Sequence, residues 1–174
     1  NGIIGDMVVL VVKTDPARKA KGVSLLLVDT SLPGYKKGRN LKKIGNKAQD
    51  TAELFFDNLR VPASAMLGEE NGGWKVLMSE LVQERVLVAV RAAATCEAAL
   101  ENTVRYVKER KAFGQAVFDF QNTKFRLADA ATLVQALRIF TDRCIELHAK
   151  GELDMHTAAM SKLYSTEEQR SEEH

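Results

Sequence analysis

A glutamate and an arginine stand side by side in the stretch LVQERVLVAV, residues 81–90, which is otherwise almost wholly apolar. At helical spacing Glu84 and Arg85 have mainly aliphatic neighbours. Burying an unpaired carboxylate or guanidinium costs several kcal/mol, so each must find a partner, reach solvent or face a ligand. One interpretation is a general base in an apolar slot, where loss of water makes a carboxylate a stronger base. The other is a charged pair that reaches solvent from a half-buried helix, and the residues alone leave both open.

A second group of chemically capable residues occupies ERKAFGQAVFDFQ, residues 109–121. Arg110 can hold a pyrophosphate through forked, charge-assisted hydrogen bonds. Aromatic rings such as those of Phe113 and Phe120 can cover a flat cofactor, and the amide of Gln121 can both donate and accept. A solvated helix end would account for the same residues, so this stretch also keeps two interpretations.

Both groups fall in a part of the chain with helical periodicity. From Trp74 to about Lys111 apolar residues recur at three- and four-residue steps, which predicts one long helix, straight, bent or broken, ended by Phe-Gly at 113–114. A second helix is predicted from about residue 121 to 150, and a third from an N-cap at Asp154. Three such helices with short connections favour antiparallel packing, and a fourth would complete a bundle.

The first part of the chain has the signals of an all-β segment. Its short β-branched runs, separated by turn residues, are Met7–Val12, Gly22–Val28, Leu41–Ile44 and Ala52–Phe56. The continuously apolar runs Val8–Val12 and Leu25–Val28 are expected to be covered on both faces. A loop at residues 61–73 then leads out of the sheet. The change of character near residue 68 predicts an α+β chain with two domains, 1–68 and 69–174.

Composition excludes several classes of function. The chain has 174 residues, a net charge of +2 and a pI near 8.5, too mild for nucleic acid or an anionic membrane as the main partner. Cys96 and Cys144 have neither CxxC spacing nor a histidine cluster nearby, so free thiols are expected and a metal site is not. No apolar run reaches the length of a membrane span.

Two longer segments carry a resemblance to a known family. VKERKAFGQAVFDFQNTKFRLADAAT resembles the flavin-binding signature of the acyl-CoA dehydrogenase family, and GNKAQDTAELFFDNLRVPASAMLGEENGGWKVLM resembles the segment joining that family's middle β-domain to its C-terminal helices. The likeness covers essentially the whole chain. It implies a fragment: a partial, barrel-like middle β-domain at 1–68 and a partial antiparallel helical bundle at 69–174, with an N-terminal helical domain and a fourth C-terminal helix outside it.

The resemblance also implies a cofactor site. In that family FAD lies at a subunit interface, which implies a homo-oligomer, either a dimer or a tetramer. By position, Arg110 matches the arginine that holds the pyrophosphate of the neighbouring subunit's flavin. Phe113 matches the aromatic beside the adenosine part, and Gln121 the amide that follows in the same groove. Phe120 stands where some members have a histidine and is expected to line the same groove.

The activity implied is α,β-desaturation of a fatty acyl-CoA thioester. In the long-chain and isovaleryl branches the catalytic base lies on the first C-terminal helix, and LVQERVLVA is similar to that arrangement, with Glu84 in the position of the base and Arg85 as a substrate-binding residue. Electrons would pass to an electron-transfer flavoprotein, in the bacterial cytoplasm or the mitochondrial matrix. The isolated fragment is expected to hold no cofactor. The alternatives are an acyl-CoA oxidase or flavin monooxygenase of the same superfamily, and a non-catalytic helical partner subunit.

Overall fold

The computed structural model describes residues 1–172 and combines long helices with small sheets, the mixed α+β fold expected from the sequence. Residues 173 and 174, with which the predicted second domain ends, lie outside the described residues. The chain divides into two compact units, Asn1–Met78 and Ser79–His174. Among residues 1–172, the helices are all too short or too polar to cross a membrane.

The first unit contains a three-stranded antiparallel sheet. Its strands are β1 (Met7–Lys13), β2 (Val23–Asp29) and β5 (Met66–Leu67), in the order β1-β2-β5. The central strand β2 is the most buried of the three. In β1 the residues Met7, Val9 and Val11 are exposed, so the expectation that this run is covered on both faces is wrong for the described chain. The side chains of β1 alternate between an exposed face and a half-buried face.

A separate two-stranded sheet pairs β3 (Tyr35–Asn40) with β4 (Ala52–Phe56). The predicted strand Leu41–Ile44 is wrong, because these residues belong to the connection between β3 and β4, which turns at Asn46 with a φ of 50°. The Lys43 Nζ atom braces this connection by donating to the Gln49 carbonyl oxygen at 2.5 Å. β3 is polar because the two-stranded sheet is largely exposed, so it lacks the apolar alternation by which strands are recognised.

Residues just before the long helix return to pack on β2. The Thr14 and Ser24 hydroxyl oxygens are 2.7 Å apart, and the backbone N–H of Asn71 donates to the Ser24 hydroxyl at 2.7 Å. A Cβ atom on Gly73 would lie 3.0 Å from the Val23 carbonyl oxygen, which only backbone movement could relieve. The glycine that begins the helix is therefore required by close approach to the sheet.

Three helices make up most of the chain after residue 72. They are α1 (Gly73–Glu109), α2 (Gln121–Ala149) and α3 (Met155–Glu172). α1 is continuous, with neither a bend residue nor a break. The predicted N-cap of α3 is confirmed: the Asp154 Oδ1 atom accepts from the backbone N–H groups of His156 at 2.8 Å and Thr157 at 2.9 Å. Hydrogen bonds from Thr157 also hold the pKa of the Asp154 carboxyl below its ordinary value.

The side-chain contacts show that successive helices are antiparallel. Glu97 of α1 pairs with Arg138 of α2, whereas Thr103, further along α1, shares a groove with Leu127, which comes earlier in α2. α2 and α3 are likewise antiparallel, since Cys144 is hydrogen-bonded to Ser161 while the earlier Phe140 meets the later Tyr164, with ring centroids 6.4 Å apart. The core between α1 and α2 is formed by the buried residues Ala93, Cys96, Val134 and Leu137.

Both cysteines are buried and neither forms a disulfide, which confirms the prediction that they are thiols. Burial raises the pKa of the Cys144 thiol, although the hydrogen bond with Ser161 partly opposes this shift. A thiol of this kind is a poor nucleophile and acts as a small core residue.

The ion pair between Glu97 and Arg138 is the strongest polar tie between α1 and α2. The Arg138 Nε atom donates to Glu97 Oε1 at 2.6 Å, and Nη2 donates to Oε2, so the contact is bidentate. These hydrogen bonds hold the pKa of the Glu97 carboxyl below its ordinary value, and burial opposes them. Such a forked pair has a defined geometry that single-point surface pairs lack.

Replacing Glu97 should therefore destabilise the helical unit. We expect Glu97→Gln to lower the unfolding free energy of the intact protein by about 1 kcal/mol at neutral pH, measured by urea unfolding. Because the folded-state pKa is lowered, the contribution is fully present above the ordinary carboxyl value of 4.5 and is lost as the pH falls below it. Glu146→Gln, which breaks an exposed pair with Arg143 on one helix, is the control and should change little. Equal effects of the two variants would contradict the assignment.

Candidate functional site

The Glu84–Arg85 pair lies in the second unit, within α1. Glu84 is exposed, whereas Arg85 is half-buried. The expectation of a carboxylate kept from water is therefore not met by the described chain on its own. Glu84 instead stands on an apolar surface, because Leu87 and Val88, three and four residues later, are 54% and 39% exposed. A ligand or protein segment that covered this face would remove water from the carboxylate.

Arg85 has an unusual polar atom. Its Nη1 atom is buried and has no hydrogen-bond partner among the described residues. A buried guanidinium donor without an acceptor is costly, and native structures rarely leave one unsatisfied. The Nη1 atom of Arg85, the residue that follows the candidate base Glu84, therefore needs a hydrogen-bond acceptor such as a carboxylate or carbonyl oxygen.

The second candidate group lies on a hairpin that the sequence did not predict. After α1, strand β6 (Lys111–Ala112) pairs with β7 (Gln115–Ala116), leaving a two-residue turn. The turn residues Phe113 and Gly114 have φ values of 52° and 85°. Positive φ at both central positions is the pattern of a type I′ turn, which Asn-Gly normally occupies. A phenylalanine with positive φ is strained, and such strain is concentrated at functional positions.

The hairpin presents the other predicted cofactor residues to solvent. The ring of Phe113 is 98% exposed and meets Phe120 edge-on, with centroids 6.4 Å apart. The exposed guanidinium of Arg110 forms neither a hydrogen bond nor an ion pair within residues 1–172, although its backbone carbonyl closes the hairpin by accepting from Val117. Gln121, exposed, is the first residue of α2. Of these four side chains, Phe113 and Phe120 are in contact, while Arg110 directly precedes β6 and Gln121 begins α2.

The N-terminus of α2 adds to the electrostatics of this group. Phe120 is its N-cap and supplies no side-chain hydrogen bond, so the first N–H groups of the helix lack a side-chain acceptor. Such groups carry a partial positive charge and favour an anion. Together with the free guanidinium of Arg110, they make this end of the helix suited to an anionic ligand.

The two candidate groups do not form one site within a single chain. Glu84 and Glu109, the last residue of α1, are separated by 25 helical positions, a distance of about 37 Å along the axis at 1.5 Å per residue. Since the helix is continuous, nothing among residues 1–172 folds one group onto the other.

Three residues next to the hairpin were missed from the sequence. The Lys108 and Lys124 Nζ atoms lie 5.5 Å and 5.6 Å from the ring centroid of Phe118. Lys108 is in the last turn of α1, Phe118 in a one-turn 3-10 helix (Val117–Asp119), and Lys124 in the first turn of α2. Residues so far apart in the sequence give no periodic signal, so only the fold reveals that they meet.

A groove between the three helices of the helical unit is a different feature. It has a volume of about 280 Å³ and is lined by parts of α1, α2 and α3, including Leu100, Leu127 and Leu133. It contains none of the predicted site residues. Among the described residues, no group of three histidine, cysteine or acidic side chains could hold a metal ion.

Comparison with known proteins identifies the family. The family model described as acyl-CoA dehydrogenase, C-terminal domain, matches residues 71–171, more than half of the chain. The chain belongs to the acyl-CoA dehydrogenase family. The expected resemblance is thereby confirmed, and the matched region includes both the Glu84–Arg85 pair and the hairpin.

Several known proteins are similar to this chain over nearly its whole length. The mitochondrial long-chain specific acyl-CoA dehydrogenase of Mus musculus is 46% identical over 98% of this chain, which spans 40% of that protein's length. An acyl-CoA dehydrogenase from Geobacillus kaustophilus is 45% identical with a TM-score of 0.94, over 99% of this chain and 46% of that one. The structure of PigA with FAD and proline is 26% identical with a TM-score of 0.90, over 97% of this chain and 44% of that one.

The strained turn of this acyl-CoA dehydrogenase chain gives a direct test. We expect Phe113→Asn to leave the unfolding free energy of the intact protein unchanged or to raise it by up to about 1 kcal/mol, because asparagine tolerates positive φ and the ring is exposed. Urea unfolding measures the change. Gly114→Ala is the control: its Cβ would meet nothing within 4 Å, so the expected loss of stability reports backbone strain alone. A loss in Phe113→Asn as large as in Gly114→Ala would show that the ring supports folding.

Proposed function

We propose that the protein containing this chain is an FAD-dependent acyl-CoA dehydrogenase that desaturates a fatty acyl-CoA thioester between its α and β carbons. The observation that carries the proposal is membership of the family over residues 71–171. In this proposal residues 1–68 belong to a barrel-like middle β-domain and residues 69–174 to the C-terminal helical bundle. Electrons leave to an electron-transfer flavoprotein, in the mitochondrial matrix or the bacterial cytoplasm.

The hairpin group fits a flavin dinucleotide. The Arg110 guanidinium has no partner among residues 1–172, and the N-cap of α2 supplies no side-chain hydrogen bond, so both groups favour an anionic pyrophosphate. Phe113 offers an exposed ring held by a strained turn, and Gln121 an exposed amide. In this proposal Arg110 binds the pyrophosphate, Phe113 and Phe120 pack beside the cofactor, and Gln121 hydrogen-bonds to it. Bound FAD would supply the acceptor for the hydride that leaves the β carbon.

Glu84 is proposed as the base that removes the α proton. Its helix neighbours Leu87 and Val88 are exposed and apolar, so an acyl chain laid on this face would displace water from the carboxylate. Arg85 is proposed to bind the substrate, since its buried, unpartnered Nη1 atom could donate to the thioester end or organise the base. An enolate that develops during proton removal is stabilised by such donors.

The separation of the two groups supports a homo-oligomer. Glu84 and the hairpin are about 37 Å apart on one rigid helix. In the proposal, each chain therefore supplies its base to one active site and its Arg110 hairpin to the cofactor of a neighbouring subunit. A dimer is the smallest assembly that satisfies this arrangement, and a tetramer of two such dimers satisfies it equally.

The proposed base is tested by Glu84→Gln. We expect the turnover of acyl-CoA by the intact protein to fall by about 10²- to 10⁴-fold, because an amide cannot take the proton. FAD content and thermal midpoint should be unchanged. Glu80→Gln, one turn earlier and equally exposed, is the matched control. Retained turnover in Glu84→Gln would refute the assignment and favour a non-catalytic partner subunit, whereas turnover with oxygen alone would indicate an oxidase.

The proposed cofactor contact is tested by Arg110→Met. A charge-assisted hydrogen bond contributes about 1.5–3 kcal/mol, so we expect the FAD dissociation constant of the intact protein to rise by about 10- to 100-fold, measured by flavin fluorescence. Arg105→Met removes the same charge from an exposed position earlier on α1 and should leave the constant within about twofold. An equal effect in both variants would mean that Arg110 acts only through net charge.

A further inference from the structure

The Lys108–Phe118–Lys124 group joins three consecutive segments. Lys108 is the penultimate residue of α1, Phe118 lies on the one-turn helix after the hairpin, and Lys124 is in the first turn of α2. Both ammonium groups lie within 6 Å of the ring centroid, the range in which a cation is attracted by the aromatic quadrupole. Lys124 also pairs with Asp119 at 3.7 Å, beside Phe118 in the chain. The ring is half-buried, so its packing and its charge attraction act together.

Few other interactions fix the direction of the β6–β7 hairpin. Backbone hydrogen bonds run from the N–H of Arg110 to the Tyr106 carbonyl at 2.8 Å and from the N–H of Val117 to the Arg110 carbonyl at 2.8 Å. The Phe113 ring adds one edge contact with Phe120. The strands themselves contain only two residues each, which is too little to be rigid alone.

We propose that Lys108, Phe118 and Lys124 form a cation–π clamp that sets the direction of the hairpin, and that Phe118 is thereby a positioning residue for cofactor binding by Arg110 and Phe113. The inference rests on the proposed FAD-binding role of this hairpin. Without the clamp, two neighbouring ammonium groups repel each other and the ends of α1 and α2 lose their shared contact at Phe118. The hairpin then adopts more orientations. FAD binds only to the fraction of molecules whose hairpin has the orientation that allows binding, so the apparent affinity falls.

The main test removes the ring without changing charge. We expect Phe118→Leu to raise the FAD dissociation constant of the intact protein by about three- to tenfold, as measured by flavin fluorescence, since each cation–π contact at a partly exposed site is modest. Phe118→Tyr keeps the aromatic face and should restore the constant to within about twofold of the parent. Phe125→Leu removes an exposed ring from the next turn of α2 and is the size-matched control.

A second pair of variants keeps the test valid if Phe118→Leu is poorly folded. Lys108→Met together with Lys124→Met preserves the aliphatic stems but removes both cations, and should raise the FAD dissociation constant by a similar factor. Arg105→Met together with Lys111→Met removes the same charge nearby and should raise the FAD dissociation constant by a smaller factor. Adding Phe118→Leu to the Lys108/Lys124 double variant should cause little further change, because the clamp is already lost.

The outcomes separate the clamp from the proposed function. If Arg110→Met weakens FAD binding and Phe118→Leu does not, the clamp inference is wrong and the cofactor assignment stands. If Phe118→Tyr binds as weakly as Phe118→Leu, the residue acts through packing and the clamp is again wrong. If neither Arg110→Met nor Phe118→Leu changes FAD binding, both the cofactor assignment and the clamp fail.

Discussion

The continuity of α1 is the constraint on which the rest of the arrangement depends. Its 37 residues, Gly73–Glu109, run without an interior proline or glycine, so the helix behaves as a single rod. The candidate base lies near its beginning and the hairpin at its end. A rod of this kind fixes both groups relative to the bundle but keeps them apart. Chemistry that needs both must bring two copies of the rod together, which makes assembly a requirement of the proposed activity and not an accessory to it.

The rod is held by contacts of two kinds. At its beginning, the Gly73 backbone approaches β2 closely. Further along, small core residues such as Ala93 and Cys96 allow α2 to approach closely, and the Glu97–Arg138 pair sets the register between the two helices. Small residues pack closely with little loss of side-chain conformational entropy. The bidentate ion pair, in contrast, has a defined geometry that fixes the relative orientation of the two helices. The hairpin depends on this register, because it connects the end of α1 to the start of α2.

Helical periodicity predicted much of this arrangement, because α1 and α2 have many turns over which the pattern accumulates. The same argument found the Asp154 cap, which is a local side-chain interaction. It failed for β3 and for the β6–β7 hairpin, where the strands are exposed or too short to show alternation. Of the candidate site, the identities of Glu84 and Arg110 followed from residue types and family resemblance. The exposure of Glu84, the unpartnered Arg85 atom and the Phe118 clamp did not, since each depends on which segments meet in space.

The outer face of α3 differs from that of an ordinary surface helix. Its inward positions are small, with Ala158, Ser161 and Ser165 fully buried, whereas Met160 and Leu163 are 54% and 64% exposed. A surface helix normally has the reverse distribution, with large apolar side chains inside and small or polar ones outside. The serines satisfy their hydroxyl groups within the helix, as Ser165 does by donating to the Ser161 carbonyl at 2.7 Å. A helix with close-packed small residues on one side and large apolar residues on the other has the composition of an element covered on both sides, and a fourth helix of the proposed bundle or a neighbouring subunit would provide the second cover.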